Sequence, residues 1–420
     1  MNKSVIKDLI AENQDFIEKV AVLPRNVSLE RQGNYVFVGL RRTGKTYLMY
    51  RQIQKLLSEE ITVNQILYIN FEDERLSEIT ATDLSTILDC YREMFDYQPI
   101  VFLDEIQLIT GWEKFVRRLA DTNHRVYVTG SNAKMLSSEI ATTLGGRFLI
   151  LTVYPYSFRE FLTANGFECH KNIEYGNEGI RLKKLFESYF YFGGLPEVQR
   201  FEDKRQWLNS LYQKIFFGDL IARYQIRNVS ALKLIIKKMA ESVMTPISYS
   251  RLTNIVLSSG IKIGKSTVID YVDYLKETWL VFSVSNITGK LVEKETNQKF
   301  YFSDNGILNL FLFNPETALL ENLVAITLKR LYGNELYFYN HNVEVDFFIP
   351  SAKWAIQVAY SLANHDTLKR ETTALLKFNQ FMPAERLTII TYDEENIIKT
   401  EDATIEVIPV WKWLLSFQIF

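Results

Sequence analysis

Gly39-Leu40-Arg41-Arg42-Thr43-Gly44-Lys45-Thr46 places two glycines and a Lys-Thr pair at the G-x-x-x-x-G-K-T spacing of a phosphate-binding loop. Glycines at the ends of such a loop let the backbone wrap an anion, and the N–H groups opening the next helix point at it. Lys45 is positioned to reach the β- and γ-phosphates of a nucleotide, and the Thr46 hydroxyl to hold Mg²⁺. The apolar run Tyr35-Val36-Phe37-Val38 reads as a buried strand before the loop, and Tyr47-Leu48-Met49 begin a segment with helical periodicity. Residues 39–47 are therefore expected to bind ATP with Mg²⁺.

A second group of residues could complete that chemistry. Ile100-Val101-Phe102-Leu103 reads as a buried strand, with Asp104 and Glu105 at its carboxyl end, where ligands of open α/β sheets bind. Asp104 would hold Mg²⁺ through water, and Glu105 would orient and deprotonate an attacking water. The strand Val126–Thr129 runs into Gly130-Ser131-Asn132, where Ser131 or Asn132 could sense a γ-phosphate or simply cap a turn. Arg147, after Leu144-Gly145-Gly146 and before a fifth strand, could reach the γ-phosphate of a neighbouring subunit in a homo-oligomer, or lie on the surface.

These groups need a sheet to hold them. Strands at Tyr35–Val38, Ile66–Asn70, Ile100–Leu103, Arg125–Thr129 and Phe148–Val153 alternate with helical segments, which predicts a parallel sheet with helices on both faces. An amphipathic helix carrying Ile6, Leu9, Ile10, Ile17 and Val20 precedes it. At 420 residues the chain exceeds one ordinary core. The spacing predicts an ATPase core over 1–160, a helical lid over 161–242, a winged helix-turn-helix over 243–304 and a last α/β domain over 305–420. A net charge of −2 argues against a global polyanion surface, so DNA could be met only locally. Cys90 and Cys169 make neither a disulfide framework nor a metal set, and no apolar run approaches membrane-spanning length, so a cytoplasmic protein without membrane contact is expected.

In the winged-helix segment Lys262, Lys265, Ser266 and Thr267 could meet DNA phosphate, but Asp270, Asp273 and Glu277 share the second helix. Lys290, Lys294 and Lys299 fall in the expected wing among Glu293 and Glu295, so a protein-contact or lid role stands beside DNA binding.

Leu103-Asp104-Glu105-Ile106-Gln107, Thr129-Gly130-Ser131, Gly146-Arg147, Tyr154-Pro155-Tyr156-Ser157-Phe158-Arg159-Glu160-Phe161 and Gly193-Gly194-Leu195-Pro196 together resemble the AAA-superfamily predicted ATPases of bacteria and archaea. The resemblance covers nearly the whole chain. It implies a lid whose Gly194 and Pro196 approach the nucleotide base, a winged helix, and a C-terminal domain related to restriction-type nucleases. Glu321, Asp346 and Gln357 resemble the acids and amide of a PD-(D/E)xK nuclease core, but Ala359 stands where that core carries lysine, with Lys369 or Arg370 as substitutes. The expectation is a degenerate nuclease-like domain behind an ATP-driven conformational or assembly switch. An ATP-dependent nuclease and an ATP-locked signalling scaffold without DNA are the alternatives.

Overall fold

The computed structural model describes residues 3–25, 27–131, 142–170, 173–401 and 403–417. The chain divides into two compact units, one running to Tyr154 and including Glu277–Trp279, the other built from most of the remainder.

The first unit is organised by five strands: β1 (Asn34–Val38), β2 (Ile66–Asn70), β3 (Ile100–Asp104), β4 (Val126–Gly130) and β5 (Phe148–Thr152). All neighbouring pairs are parallel, in the order β2-β3-β4-β1-β5. β1 through β4 are near-continuous apolar runs because both sheet faces are covered. One face packs Val36, Val38, Leu103 and Val128 against Ile6, Leu9 and Ile10 of helix Lys3–Lys19. The other packs Phe37, Phe102 and Tyr127 against Leu48, Met49 and Ile53 of helix Lys45–Ser58. β5 is an edge strand and leaves Leu149 and Ile150 about half exposed. The parallel α/β reading of the sequence is thus realised strand for strand.

Among the described residues the second unit carries nine strands, β6 (Ile247–Ser248), β7 (Val281–Asn286), β8 (Asn297–Phe302), β9 (Tyr337–Asn340), β10 (Glu344–Ile349), β11 (Trp354–Val358), β12 (Arg386–Thr391), β13 (Asn396–Lys399) and β14 (Thr404–Pro409). They form a single mixed sheet in the order β13-β14-β12-β11-β10-β9-β7-β8-β6. Helices Tyr249–Ser258 and Lys265–Glu277 lie between β6 and β7 in sequence, the order expected for residues 243–304. The strands of that segment do not form a separate sheet, because β7 pairs with β9 through Ser285↔Tyr337 and Asn286↔Phe338. Three strands escaped the sequence reading: the two-residue β6, the largely exposed β13, and β14, which alternates buried and exposed positions. Among the described residues no helix is long and apolar enough to cross a membrane.

Candidate nucleotide site

β1 delivers the phosphate loop to the carboxyl edge of the first sheet. Gly39 has φ 145°, and a Cβ there would lie 2.4 Å from the Val153 carbonyl oxygen, so the strand can turn into the loop only with glycine. Within the loop the Thr43 hydroxyl donates to the Leu40 carbonyl at 2.9 Å. Lys45 opens the following helix and is almost fully buried, with its ammonium donating to the Gly39 and Leu40 carbonyls at 3.1 and 3.0 Å. Arg25 braces the loop from outside: its guanidinium donates to the Thr43 carbonyl at 3.0 Å and to the Tyr154 carbonyl at 2.8 Å. Tyr47 lies on the open side of the helix, edge-on to Tyr50.

β4 lies between β1 and β3, so the polar end of β4 faces the acids at the end of β3. Asp104 has no exposed surface. The Thr129 hydroxyl donates to its Oδ1, the Tyr68 hydroxyl donates to Oδ2 at 2.8 Å, and the Thr46 hydroxyl is hydrogen-bonded to the same carboxylate. The two residues expected to hold Mg²⁺ therefore touch. Burial and the adjoining Glu105 charge push the Asp104 carboxyl above its ordinary range, while the three hydroxyls pull it back. A hydroxyl and a carboxylate oxygen are hard ligands, the set that Mg²⁺ takes beside its waters and nucleotide phosphates.

Glu105 adopts a left-handed backbone, φ 53°, a conformation costing about 1–3 kcal/mol and concentrated at functional sites. Its N–H donates to the Thr129 hydroxyl at 2.8 Å, and its carboxylate accepts from the Ser131 hydroxyl at 3.3 Å and from the Gln107 amide. Thr129 thus ties both acids together, accepting from one and donating to the other. Sequence reasoning passed over Thr129 and Tyr68 as partners of Asp104. The polar run Thr129-Gly130-Ser131 carried a signal for the first, whereas Tyr68 reads only as an apolar strand residue.

The other expected site residues divide between this cluster and more distant places. Ser131 joins the cluster, and Asn132 lies outside the described residues. Arg147 sits at the amino end of β5, whose Phe148 pairs with Asn34 of β1, one strand length or about 16 Å from the phosphate loop. There it pairs with Asp121 at 2.5 Å. Gly194 and Pro196 belong to the second unit. Gly194 donates its N–H to Asp304 at 2.8 Å, and a Cβ on Gly193 would fall 2.1 Å from that carboxylate, so this turn is glycine because it wraps an aspartate. Pro196 opens the short turn Pro196–Arg200.

The second unit holds a cavity of about 720 Å³ lined by Glu321, Asp346, Gln357, Lys369, Arg370 and Glu371, with others. The three residues resembling a nuclease core are therefore brought together, but around a lysine. Lys299 is wholly buried, and its ammonium lies 3.3, 3.2 and 3.1 Å from the carboxylates of Glu321, Glu344 and Asp346. This corrects the expectation of a wing lysine, whether for DNA or for protein contact: β8 lies between β7 and β6, and the Lys299 ammonium points into the acids. Burial opposes its charge, yet the three carboxylates hold the ammonium above its ordinary value. Burial pushes Glu321 up to about 7 against the Lys299 charge, and the Tyr301 hydroxyl donates to it at 2.7 Å. Gln357 is fully engaged, accepting from the Asp346 N–H at 2.8 Å and donating to Glu371 at 2.9 Å. Arg370 pairs with Glu371, and Ala359 packs in the apolar core. Among the described residues no group of three His, Cys, Asp or Glu side chains could hold a metal ion.

Comparison with known proteins agrees with this geometry at the level of family. Residues 31–162 match the AAA domain, and residues 183–317 match a domain of unknown function. Uncharacterized protein MJ1544 of Methanocaldococcus jannaschii is 32% identical over 99% of this chain and 96% of its own. An uncharacterized protein of Haemophilus influenzae is 30% identical over 91% of this chain and 94% of its own. Among solved structures the Walker-type ATPase PABY2304 of Pyrococcus abyssi aligns with a TM-score of 0.44 at 15% identity, covering 71% of this chain and 94% of that one. The end-to-end match to the Methanocaldococcus and Haemophilus proteins places this chain in their family, and its residues 31–162, which carry the phosphate loop and the acids at the end of β3, match the AAA domain.

Proposed function

We propose that the chain binds ATP with Mg²⁺ at the carboxyl edge of the first sheet and hydrolyses it, using the cycle as a conformational or assembly switch. The observation that carries this reading is the contact of the Thr46 hydroxyl with an Asp104 carboxylate held by Tyr68 and Thr129, beside Lys45 and a strained Glu105. Lys45 binds phosphate, Thr46 and Asp104 hold the metal, and Glu105 orients water, with Ser131 supporting its carboxylate. Bound Mg²⁺ would neutralise charge developing on the phosphates. Lys45→Ala should weaken ATP binding itself, whereas Glu105→Gln should leave binding near normal and slow turnover by ~10² or more. Nucleotide titration with phosphate release tests both, and unchanged hydrolysis in Glu105→Gln would sink the assignment.

The pocket of the second unit favours binding over cutting. Lys299 already supplies a cation among its acids, and Gln357 is committed to holding Asp346 and Glu371. Plasmid incubated with the protein, ATP and Mg²⁺ or Mn²⁺ should stay intact; cleavage lost in Asp346→Ala would establish the ATP-dependent nuclease instead. ATPase rates with and without single- and double-stranded DNA separate a DNA-linked switch from a scaffold that ignores DNA.

A further inference from the structure

Arg41 is the third residue of the phosphate loop, and its guanidinium pairs with Glu72 at 3.0 Å. Glu72 follows the carboxyl end of β2, where its N–H donates to the Asn70 side chain at 2.9 Å. The loop follows the carboxyl end of β1. In the sheet order β2-β3-β4-β1-β5 these two strands are three positions apart, a span of about 14 Å at ordinary strand spacing. The strands between them are β4, whose last residues are Thr129-Gly130, and β3, which ends at Asp104 with Glu105 next in the chain. The Arg41–Glu72 pair therefore crosses the edge of the sheet at which the proposed metal ligands and water-orienting acid lie. A γ-phosphate bound by Lys45 must come to that same edge to meet Asp104 and Glu105.

We propose that Arg41 is a γ-phosphate-binding arginine supplied by the same chain, and that Glu72 is the holder from which it transfers when a triphosphate arrives. Three physical features support the exchange. The Glu72 carboxylate is about half exposed, and such pairs are weak. A guanidinium matches a phosphate bidentately, so the γ-phosphate competes well for it. An arginine on the γ-phosphate stabilises charge in phosphoryl transfer whether it comes from the same chain or a partner, and Arg147 is held by Asp121 at the opposite edge of the sheet. The transfer would also report the third phosphate to β2, the strand adjoining β3.

This inference rests on the ATP reading above, and its test separates the two. Affinities for ADP and for the β,γ-methylene analogue of ATP, and the rate of ATP turnover, are measured with Mg²⁺ for the wild type, Arg41→Ala, Arg41→Lys and Glu72→Gln. Thermal unfolding of each protein checks the fold. Arg41→Ala should weaken the triphosphate analogue about tenfold or more, leave ADP within about twofold, and lower turnover by ~10³. Arg41→Lys should restore part of the analogue affinity but little turnover, because a point charge lacks the fork. Glu72→Gln should tighten the analogue relative to ADP by removing a carboxylate that competes with the phosphate for the arginine. Equal weakening of ADP and analogue in Arg41→Ala would make Arg41 a loop-shaping residue and overturn the proposal, as would no change in either. Absence of turnover in the wild type would overturn the ATPase reading alone, since the ADP-to-analogue ratio still decides the role of Arg41.

Discussion

Lys299 and Glu321 tie the stability of the second unit to pH. Glu321 in the folded chain is pushed up to about 7, above its ordinary 4.5, by burial, so the folded state takes its proton more readily than the unfolded one. Stability is then greatest below the unfolded value and falls as pH rises from about 4.5 to about 7. Asp304, raised to about 6 by burial, acts in the same direction over a narrower window. Urea unfolding at pH 5 and pH 7.5 should show the loss, and Glu321→Gln should remove most of it while keeping an acceptor for Tyr301. The same pH slope in Glu321→Gln would assign the titration elsewhere. Lys299→Met should cost about 3–5 kcal/mol near neutral pH, since it leaves buried carboxylates uncompensated.

Asp304 also shows how one side chain joins two elements. Its carboxylate caps the short helix Asn305–Leu308, accepting from the N–H groups of Gly306 and Ile307 at 2.9 and 3.3 Å, and it accepts from Gly194 at 2.8 Å. It is almost completely buried, so its removal strands donors that water reaches poorly. Asp304→Ala should destabilise the unit by about 2–3 kcal/mol, read as a lowered urea midpoint. An effect below about 0.5 kcal/mol would mean that water replaces the carboxylate and that the Gly193-Gly194 turn holds itself. The same contact explains the glycine pair without a nucleotide, and the expected approach of Gly194 to a base becomes a separate proposal.

For the whole molecule, the place of Arg147 bears on whether turnover needs a second copy. Arg147 lies at the sheet edge away from its own phosphate loop, so a γ-phosphate role for it requires a neighbouring subunit. On that reading ATPase activity per chain rises with protein concentration, and Arg147→Ala abolishes the rise with little change in ATP affinity. A concentration-independent rate from a monomer in sedimentation would leave Arg41 as the arginine of the site.

The sequence by itself determined the first sheet and named the residues of its candidate site that lie close together in the chain. Parallel strands buried on both faces must be continuous apolar runs, and a phosphate loop is a local device whose glycines, lysine and threonine are contiguous. Gly39, Lys45, Thr46, Asp104 and Glu105 could therefore be read directly. Tertiary structure alone decided what lies beside them. Tyr68 and Thr129 reach Asp104 because β3 runs between β2 and β4, an order that no local pattern encodes. Arg41 meets Glu72 for the same reason, across two intervening strands. Lys299 read as a wing lysine because it follows Lys290, Glu293, Lys294 and Glu295 in sequence. Pairing of β8 with β7 on one side and β6 on the other made its strand an interior one, and three carboxylates from distant segments pay for burying its ammonium.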